Sequence, residues 1–334
     1  MNKSTIYDVA LRAKVSNATV SRALNTPEKV KPETRNKILS IAKELGYKPN
    51  AMARGLASSK STQVAIIVSD LARASVAEMV KGISEVAESY GYNIILLNVK
   101  GDEQIDELLM NIVSLHVDGI LYLNDELTER QSHLVKELKD NYLIPIVLVN
   151  TESIGDDDLL SVTIDYEKAG YEACKSLIQE GRKRIALLTT QKRYPVSILK
   201  ENGYRRAMEK YGLEELICYT SGNLDINKSD IEQYLNEHKD IDGVIGVRDS
   251  ISIAALNILV YKGKKIPEEV SVFGFQNTRY TLLCRPQLST INVPIHELGA
   301  RAMKILTTEM SGEVQDVKGK VILEHSIIKR GTTK

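Results

Sequence analysis

Runs of four to six apolar residues recur along the chain from residue 64 onward, each followed by a longer segment with helical periodicity. An uninterrupted apolar run is typical of a parallel strand buried on both faces, and apolar positions three and four apart indicate an amphipathic helix. The alternation starts again near residue 185, so it predicts two doubly wound parallel-sheet subdomains of about 100–130 residues each. The clearest runs lie at 64–68, 94–97, 120–123, 146–149, 185–188, 243–247 and 270–275.

The first 46 residues have a different pattern, in which short helical segments are separated by polar turns. Thr5 is suited to cap a first helix, and Ser16 or Asn17 a second, because their side chains can accept hydrogen bonds from the first free backbone N–H groups. Pro32 begins a third helix and Gly46 ends it. Two short helices joined by a tight turn predict a helix-turn-helix, whose second helix is the recognition helix. The predicted helices span about 6–13, 17–25 and 32–45.

Charge separates the same two parts of the chain. The 44 Lys and Arg balance the 44 Asp and Glu, but residues 1–60 hold 12 basic and 4 acidic residues, and residues 61–334 hold 32 and 40. The net charge of zero is therefore +8 on the N-terminal module and −8 on the body. Such asymmetry favours a basic module that contacts nucleic acid phosphates, attached to an acidic body.

The recognition helix presents side chains suited to reading DNA. Arg22 can bond guanine bidentately in the major groove, and the small Ala18 can approach a thymine methyl group. Asn17 and Ser21 would share the exposed face. A solvated polar helix face would explain any one of these residues, but not the set on a basic module. Phosphate contacts, which position the protein without specifying sequence, are predicted for Tyr7, Ser16, Thr19 and Asn25.

Two motifs connect this module to a known family. The segments TIYDVALRAKVSNATVSRALN at 5–25 and GYKPNAMARGLAS at 46–58 closely resemble the LacI/GalR family of bacterial repressors, particularly its carbon catabolite regulators. The resemblance implies a DNA-binding domain at 1–48 and a hinge helix at 49–60 that folds when two copies pack in the minor groove. Leu56 would then wedge into the central base step and bend the operator. The resemblance adds Thr5, Tyr47, Asn50, Ala53, Leu56 and Ala57 to the DNA-binding residues and implies a homodimer on double-stranded operator DNA.

For the body, the resemblance implies a periplasmic-binding-protein-like architecture with an effector cleft between the subdomains. The chain would cross between subdomains near 161–164, 289–293 and 322–325. The predicted N-terminal subdomain is 61–161 with 292–322, and the C-terminal subdomain is 162–291 with 323–334.

The predicted cleft departs from the family pattern. Lys200 replaces the usual Arg, Arg248 replaces a small or polar residue, and Gln276 replaces an acid, whereas Asp249 matches. Lysine lacks the planar guanidinium group of arginine, whose paired N–H donors can bind two neighbouring hydroxyls. These changes favour a sugar phosphate over a free sugar, with a degenerate cleft as the alternative. The full predicted set is Ser75, Lys200, Arg248, Asp249, Gln276 and Asn277.

A protein corepressor is the other possibility that the resemblance implies. In the catabolite regulators, the Ser-phosphorylated phosphocarrier HPr docks on the helix matching 295–310. Here Lys304 keeps a cation, but His296 and Glu297 stand where Tyr-Asp is typical and Arg301 replaces an apolar residue. A charge placed in an apolar contact is costly unless it is paired. HPr docking and direct sugar or sugar-phosphate sensing therefore remain alternatives.

Other function classes find little support in the sequence. No P-loop, dinucleotide-binding, nucleophile-elbow or zincin motif occurs, and the five His are scattered. We therefore expect neither an enzyme nor a cofactor or metal. Neither an apolar run of membrane-spanning length nor a secretory signal is present, which favours the cytoplasm over a transport-type solute-binding protein. The predicted function is a repressor of carbohydrate or carbon catabolite genes.

Overall fold

The computed structural model describes residues 4–47, 61–99, 105–123, 128–151, 159–191, 194–221, 224–313 and 319–334, without the side chains of 224–227. The chain forms two compact units, Met1–Thr62 and Gln63–Lys334. The predicted hinge at 49–60 lies outside the described residues.

The first unit contains the predicted helix-turn-helix. Asp8 accepts hydrogen bonds from the backbone nitrogen and hydroxyl of Thr5 at 2.7 and 2.8 Å, which fixes the start of the first helix. Lys14 ends that helix in the left-handed conformation. Ser16, not Asn17, caps the second helix by accepting from the Thr19 nitrogen at 3.2 Å. The helices are α1 (Ile6–Ala13), α2 (Asn17–Asn25) and α3 (Pro32–Glu44), with a 3-10 turn at Pro27–Lys29.

The second unit contains two six-stranded sheets, and we call each sheet with its helices a lobe. The first sheet has the order β11-β5-β4-β3-β1-β2, and all its pairings are parallel. Its strands are β1 (Gln63–Val68), β2 (Asn93–Asn98), β3 (Gly119–Leu123), β4 (Ile146–Val149), β5 (Leu160–Ile164) and β11 (Lys320–Leu323). The helices of this lobe are α4 (Ala74–Ser89), α5 (Ile105–Leu115), α6 (Glu129–Asp140) and α12 (Ile295–Ser311).

Alternate residues of β1 face opposite sides of the sheet. Ile66 is buried in a cluster with residues of α4 and α12, whereas Ile67 is buried with residues of α5 and α6. Helices therefore cover both faces, which explains why the strands read as uninterrupted apolar runs.

The second sheet repeats this arrangement with the order β12-β10-β9-β8-β6-β7. Only the pairing of β12 with β10 is antiparallel. Its strands are β6 (Ile185–Thr190), β7 (Leu216–Thr220), β8 (Gly243–Gly246), β9 (Ser271–Phe275), β10 (Ser289–Asn292) and β12 (Ser326–Ile328). Its helices are α7 (Tyr166–Gln179), α8 (Pro195–Tyr211), α9 (Leu224–Glu237), α10 (Asp249–Tyr261) and α11 (Tyr280–Leu283).

Among the described residues the chain passes between the two sheets three times. The passages follow β5, β10 and β11. The boundary predicted at 161/162 falls inside β5, whose residues pair with β4 and β11 of the first sheet. The predicted fold class of two doubly wound parallel-sheet subdomains behind a helix-turn-helix head is confirmed.

Reciprocal glycine contacts join a helix pair in each lobe. A Cβ on Gly82 of α4 would lie 2.1 Å from the carbonyl oxygen of His296, and one on Gly299 of α12 would lie 2.2 Å from that of Met79. The second lobe repeats this contact between α7 and α8 through Gly170 and Gly203. Because the obstacles are backbone atoms, these positions require glycine for the helices to pack at this distance.

We expect Gly82→Ala to destabilise the body, since the added methyl group would force α4 away from α12. Overpacking in a close-packed core costs about 1–3 kcal/mol. Urea unfolding followed by circular dichroism measures the loss, and Ser84→Ala at an exposed position of the same helix is the matched control. Equal stabilities of the two variants would show that the close contact is not required.

Candidate DNA-binding head and effector cleft

One face of α2 is turned outward from the core of the head. Val20 and Ala23 are buried, whereas Ala18, Arg22 and Asn25 are exposed at spacings of four and three residues. These three residues therefore form one surface stripe. Asn17, Thr19 and Ser21 are half-buried beside it, and Ser16 is exposed at the helix start.

Several predicted contact residues also hold the head together. The Thr19 hydroxyl lies 2.9 Å from that of Ser16, and the Asn25 amide donates to Ser21 at 3.3 Å. Hydrogen bonds from Thr5 lower the pKa of Asp8, which keeps the first helix cap ionised. Tyr7 is 69% exposed, but Tyr47 is half-buried against the head core. The predicted hinge contacts Asn50, Ala53, Leu56 and Ala57 lie outside the described residues.

The body contains a cleft of about 1270 Å³ between its two lobes. It is lined by the segments that follow β1, β6 and β8. In the first sheet β1 lies between β2 and β3, and in the second β6 lies between β7 and β8, so these are the points where strand order reverses. Doubly wound sheets bind ligands beyond the carboxyl ends of their strands at such points. In each lobe, therefore, the loops at which such sheets bind ligands line this cleft.

Four of the six predicted effector residues line the cleft: Ser75, Arg248, Asp249 and Gln276. Lys200 and Asn277 are not among the described residues lining it. The Asn277 amide donates to Asn292 at 2.9 Å and its oxygen accepts from Arg330 at 2.8 Å. These bonds hold the Asn277 side chain against β10 and the C-terminal segment.

Lys200 was expected to offer a cation to the effector, and the structure places it elsewhere. It is 3% exposed, and its Nζ donates to the carbonyl oxygen of Val247 at 2.9 Å. The same nitrogen lies 4.7 Å from the ring centroid of Tyr166 and 4.9 Å from that of Phe275. Aromatic faces and a carbonyl stabilise a buried ammonium. Lys200 therefore packs inside the second lobe, where its ammonium group links α8 to residues of α7, β9 and the end of β8.

Asp249 is the buried acid of the cleft. It is 1% exposed, and its carboxylate accepts from the nitrogen and hydroxyl of Thr278 at 2.7 and 2.9 Å and from the hydroxyl of Thr290 at 2.9 Å. Burial raises the pKa of Asp249 to about 6, against the opposing effect of these hydrogen bonds. The carboxylate therefore joins the start of α10 to β10 and to the segment between β9 and α11.

Sequence reasoning missed several further charged and aromatic groups of the cleft. Arg73, Tyr194 and Arg285 line it together with Asp70, which pairs with Arg73 at 3.5 Å. Arg73 and Tyr194 directly precede α4 and α8, as Arg248 precedes α10. Their position between a buried strand and a helix start is the signal that could have identified them.

The predicted protein-docking residues lie on α12. Glu297, Arg301 and Lys304 are exposed at spacings of four and three residues, so they share one outer face of the helix. His296 is half-exposed, and its Nε2 lies 2.9 Å from a carboxylate oxygen of Glu85 on α4. The structure thus brings the three charged residues together and engages His296 with the neighbouring helix.

The described residues contain neither a cluster of metal-binding side chains nor a helix long and apolar enough to cross a membrane.

Comparison with known proteins identifies the class. Residues 5–50 match the bacterial regulatory proteins of the lacI family, and residues 61–326 match the periplasmic binding proteins and sugar binding domain of the LacI family. The chain belongs to the LacI family and is a DNA-binding transcriptional regulator, as predicted.

The chain is similar over most of its length to three known regulators. The chain is 37% identical to catabolite control protein A of Priestia megaterium, over 99% of each chain. The crystal structure of the transcription regulator CcpA of Lactococcus lactis has 29% identity and a TM-score of 0.72, covering 81% of this chain and 99% of that one. The lac repressor dimer bound to operator and the anti-inducer ONPF, at 24% identity, shares the fold over 99% of both chains with a TM-score of 0.88.

Asp249 should make stability depend on pH. Its pKa rises from 3.8 to about 6 in the native protein, so the native state binds more protons than the unfolded state between these values. Stability should therefore fall as pH rises from about 4 to about 6. We expect Asp249→Asn to remove that part of the slope, and the exposed Asp140→Asn to keep it. Urea unfolding at several pH values measures both, and a wild-type slope in Asp249→Asn would contradict the assignment.

Proposed function

We propose that the protein is a homodimeric cytoplasmic repressor of carbohydrate or carbon catabolite genes that binds a pseudo-palindromic operator. The observation that carries this proposal is the stripe of Ala18, Arg22 and Asn25 on an exposed face of a basic helix-turn-helix head. A two-fold symmetric pair of such heads matches a two-fold symmetric site. The sequence similarity to catabolite control protein A supports carbon catabolite genes as the proposed targets.

Within this proposal the DNA-binding residues of the head and hinge have three roles. Arg22 and Ala18 read base edges in the major groove, assisted by Asn17 and Ser21. The phosphate backbone is contacted by Tyr7, Ser16, Thr19 and Asn25, and Thr5, Tyr47 and Asn50 are further DNA contacts. Leu56 enters the minor groove at the operator centre, where Ala53 and Ala57 let the paired hinge helices approach.

Exposed apolar side chains support self-association of the body. Val260 and Tyr261 at the end of α10 are 46% and 89% exposed, and Leu282 on α11 is 47% exposed. Large apolar side chains rimmed by polar surface mark interaction sites. The proposed partner is a second copy of the chain, because two hinges must meet at one operator.

The cleft is the proposed site of regulation by a sugar phosphate. Arg73, Arg248 and Arg285 provide three cations among the described lining residues, against the carboxylates of Asp70 and Asp249. Arginine binds phosphate through paired N–H donors. Catalysis forms no part of the proposed function, because the chain's relatives are regulators.

Ser-phosphorylated HPr is a second candidate effector. The observation in its favour is the outward charged face of α12, where Arg301 and Lys304 stand one turn apart and could pair with a phosphate. Operator binding with phosphorylated and unphosphorylated HPr separates this candidate from the sugar phosphate. An operator affinity that only the phosphoprotein raises would assign regulation to α12.

We expect Arg22→Ala to weaken operator binding by about 1–3 kcal/mol and to relax specificity at one base pair, while binding to unrelated DNA changes little. Leu56→Gly should also reduce operator affinity, because the apolar wedge is lost. Fluorescence anisotropy with operator and scrambled duplexes measures both effects. Arg12→Ala is the matched control, since this exposed arginine pairs with Glu44 at 3.2 Å. Unchanged operator affinity in both Arg22→Ala and Leu56→Gly would overturn the proposed mode of binding.

A further inference from the structure

Two consecutive residues with positive φ angles form a turn at the wall of the cleft. Gln276 and Asn277 directly follow β9, and their φ angles are 107° and 56°. Few residues other than glycine have positive φ, because the Cβ atom then approaches the backbone, and asparagine tolerates it better than most. Gln276 lines the cleft, whereas Asn277 is not among the described residues lining it. A strained backbone therefore sets how a cleft residue faces a ligand.

Strand β10 anchors the backbone of this turn. The nitrogen of Gln276 donates to the carbonyl oxygen of Ile291 at 3.0 Å, and the nitrogen of Asn277 donates to the hydroxyl of Thr290 at 3.3 Å. Hydrogen-bonded amides exchange with solvent only when their bonds open. The exchange rates of these two amides therefore report how firmly the turn is held.

The Asn277 side chain is bonded at both ends of its amide. Its nitrogen donates to Asn292 at the end of β10 at 2.9 Å, and its oxygen accepts from Arg330 at 2.8 Å. Arg330 follows β12 and lies 53 residues further along the chain. The C-terminal segment thus reaches back to fix the second residue of the strained turn.

Arg330 is itself held by several partners. Its Nη1 donates to the carbonyl oxygen of Leu288 at 2.8 Å and to the hydroxyl of Thr281 at 3.1 Å, and its backbone nitrogen donates to the hydroxyl of Ser289 at 2.7 Å. The donors of a guanidinium group have a fixed planar geometry, so the bonds of one edge orient the other. Arg330 therefore offers Asn277 a donor of fixed position.

We propose that Arg330 and Asn277 are positioning residues through which the C-terminal segment holds the strained turn and presents Gln276 to the cleft. Neither of them lines the cleft among the described residues, so both act through Gln276. The glutamine amide both donates and accepts hydrogen bonds, which suits it to a sugar hydroxyl. Loss of the pair lets the turn relax and withdraws that amide from the ligand.

This inference rests on the proposed role of the cleft as the effector site, and it adds the residues that fix the geometry of that site. The state of the turn can be measured without a ligand. Failure of the positioning pair and failure of the effector site therefore give different results.

The first experiment is hydrogen–deuterium exchange of the full-length protein, followed by mass spectrometry of peptides that cover residues 274–281. We expect Arg330→Met to speed exchange there by about tenfold or more, because a hydrogen bond from a charged donor is lost. Peptides from β6 and β8 should exchange as in the wild type. Lys329→Met is the matched control, since this neighbouring cation pairs with Glu180 at 2.9 Å.

A rescue variant separates release of strain from loss of packing. Adding Gln276→Gly to Arg330→Met should restore slow exchange, because glycine adopts positive φ without strain. Gln276→Ala in the same background keeps the strain and should not restore it. Equal rescue by both substitutions, wild-type exchange in Arg330→Met, or faster exchange throughout the second lobe would each overturn the positioning role.

The second experiment is calorimetric titration with glucose 6-phosphate. Arg330→Met and Asn277→Ala should each weaken its binding by about tenfold, and Lys329→Met should not. Wild-type affinity in an Arg330→Met protein with a loosened turn would overturn the presentation of Gln276. Absence of binding to the wild type, with the exchange results as expected, would overturn the sugar-phosphate effector and leave the positioning pair supported.

Discussion

Parallel strand direction is the constraint on which the body depends. Because neighbouring strands run the same way, every loop at a carboxyl end emerges on one edge of its sheet, and the reversals of strand order at β1 and β6 leave a crevice there. The three passages of the chain between lobes turn those two edges toward one shared cleft. The helix starts after β1, β6 and β8 consequently meet across it, although the start of α4 lies more than a hundred residues before the starts of α8 and α10.

Net charge also differs between the N-terminal head and the body. The basic residues that balance the acidic body are concentrated in the first 60 positions, where α2 presents Arg22 outward. A net negative body is repelled by the phosphate backbone, which fits the proposal that only the head and hinge contact DNA. Within that acidic body, the arginines of the cleft form a local exception. A local cluster of cations in an acidic protein can attract a small anion without making the whole body bind DNA.

Much of this organisation could be predicted because it is encoded locally. Thr5, Ser16 and Pro32 begin the head helices where their capping chemistry requires, and the apolar runs specify the buried strands. The cleft was only partly predictable. Lys200 lies in a helix whose sequence suits a ligand contact, but the Val247 carbonyl and two rings that enclose its ammonium come from other elements. Arg73 and Tyr194 are inconspicuous in sequence, and they become a pair only when β1 and β6 bring their loops to the same crevice.

In the proposed function, ligand binding in the cleft is coupled to operator binding by the head. Thermodynamic linkage requires that a ligand which changes operator affinity by some factor must bind the operator complex more or less tightly by the same factor. Calorimetric measurement of the affinity for glucose 6-phosphate, once in the free protein and once in the saturated operator complex, tests this directly. The account predicts two different affinities whose ratio equals the change in operator affinity caused by the ligand. Identical affinities in the two states would contradict it.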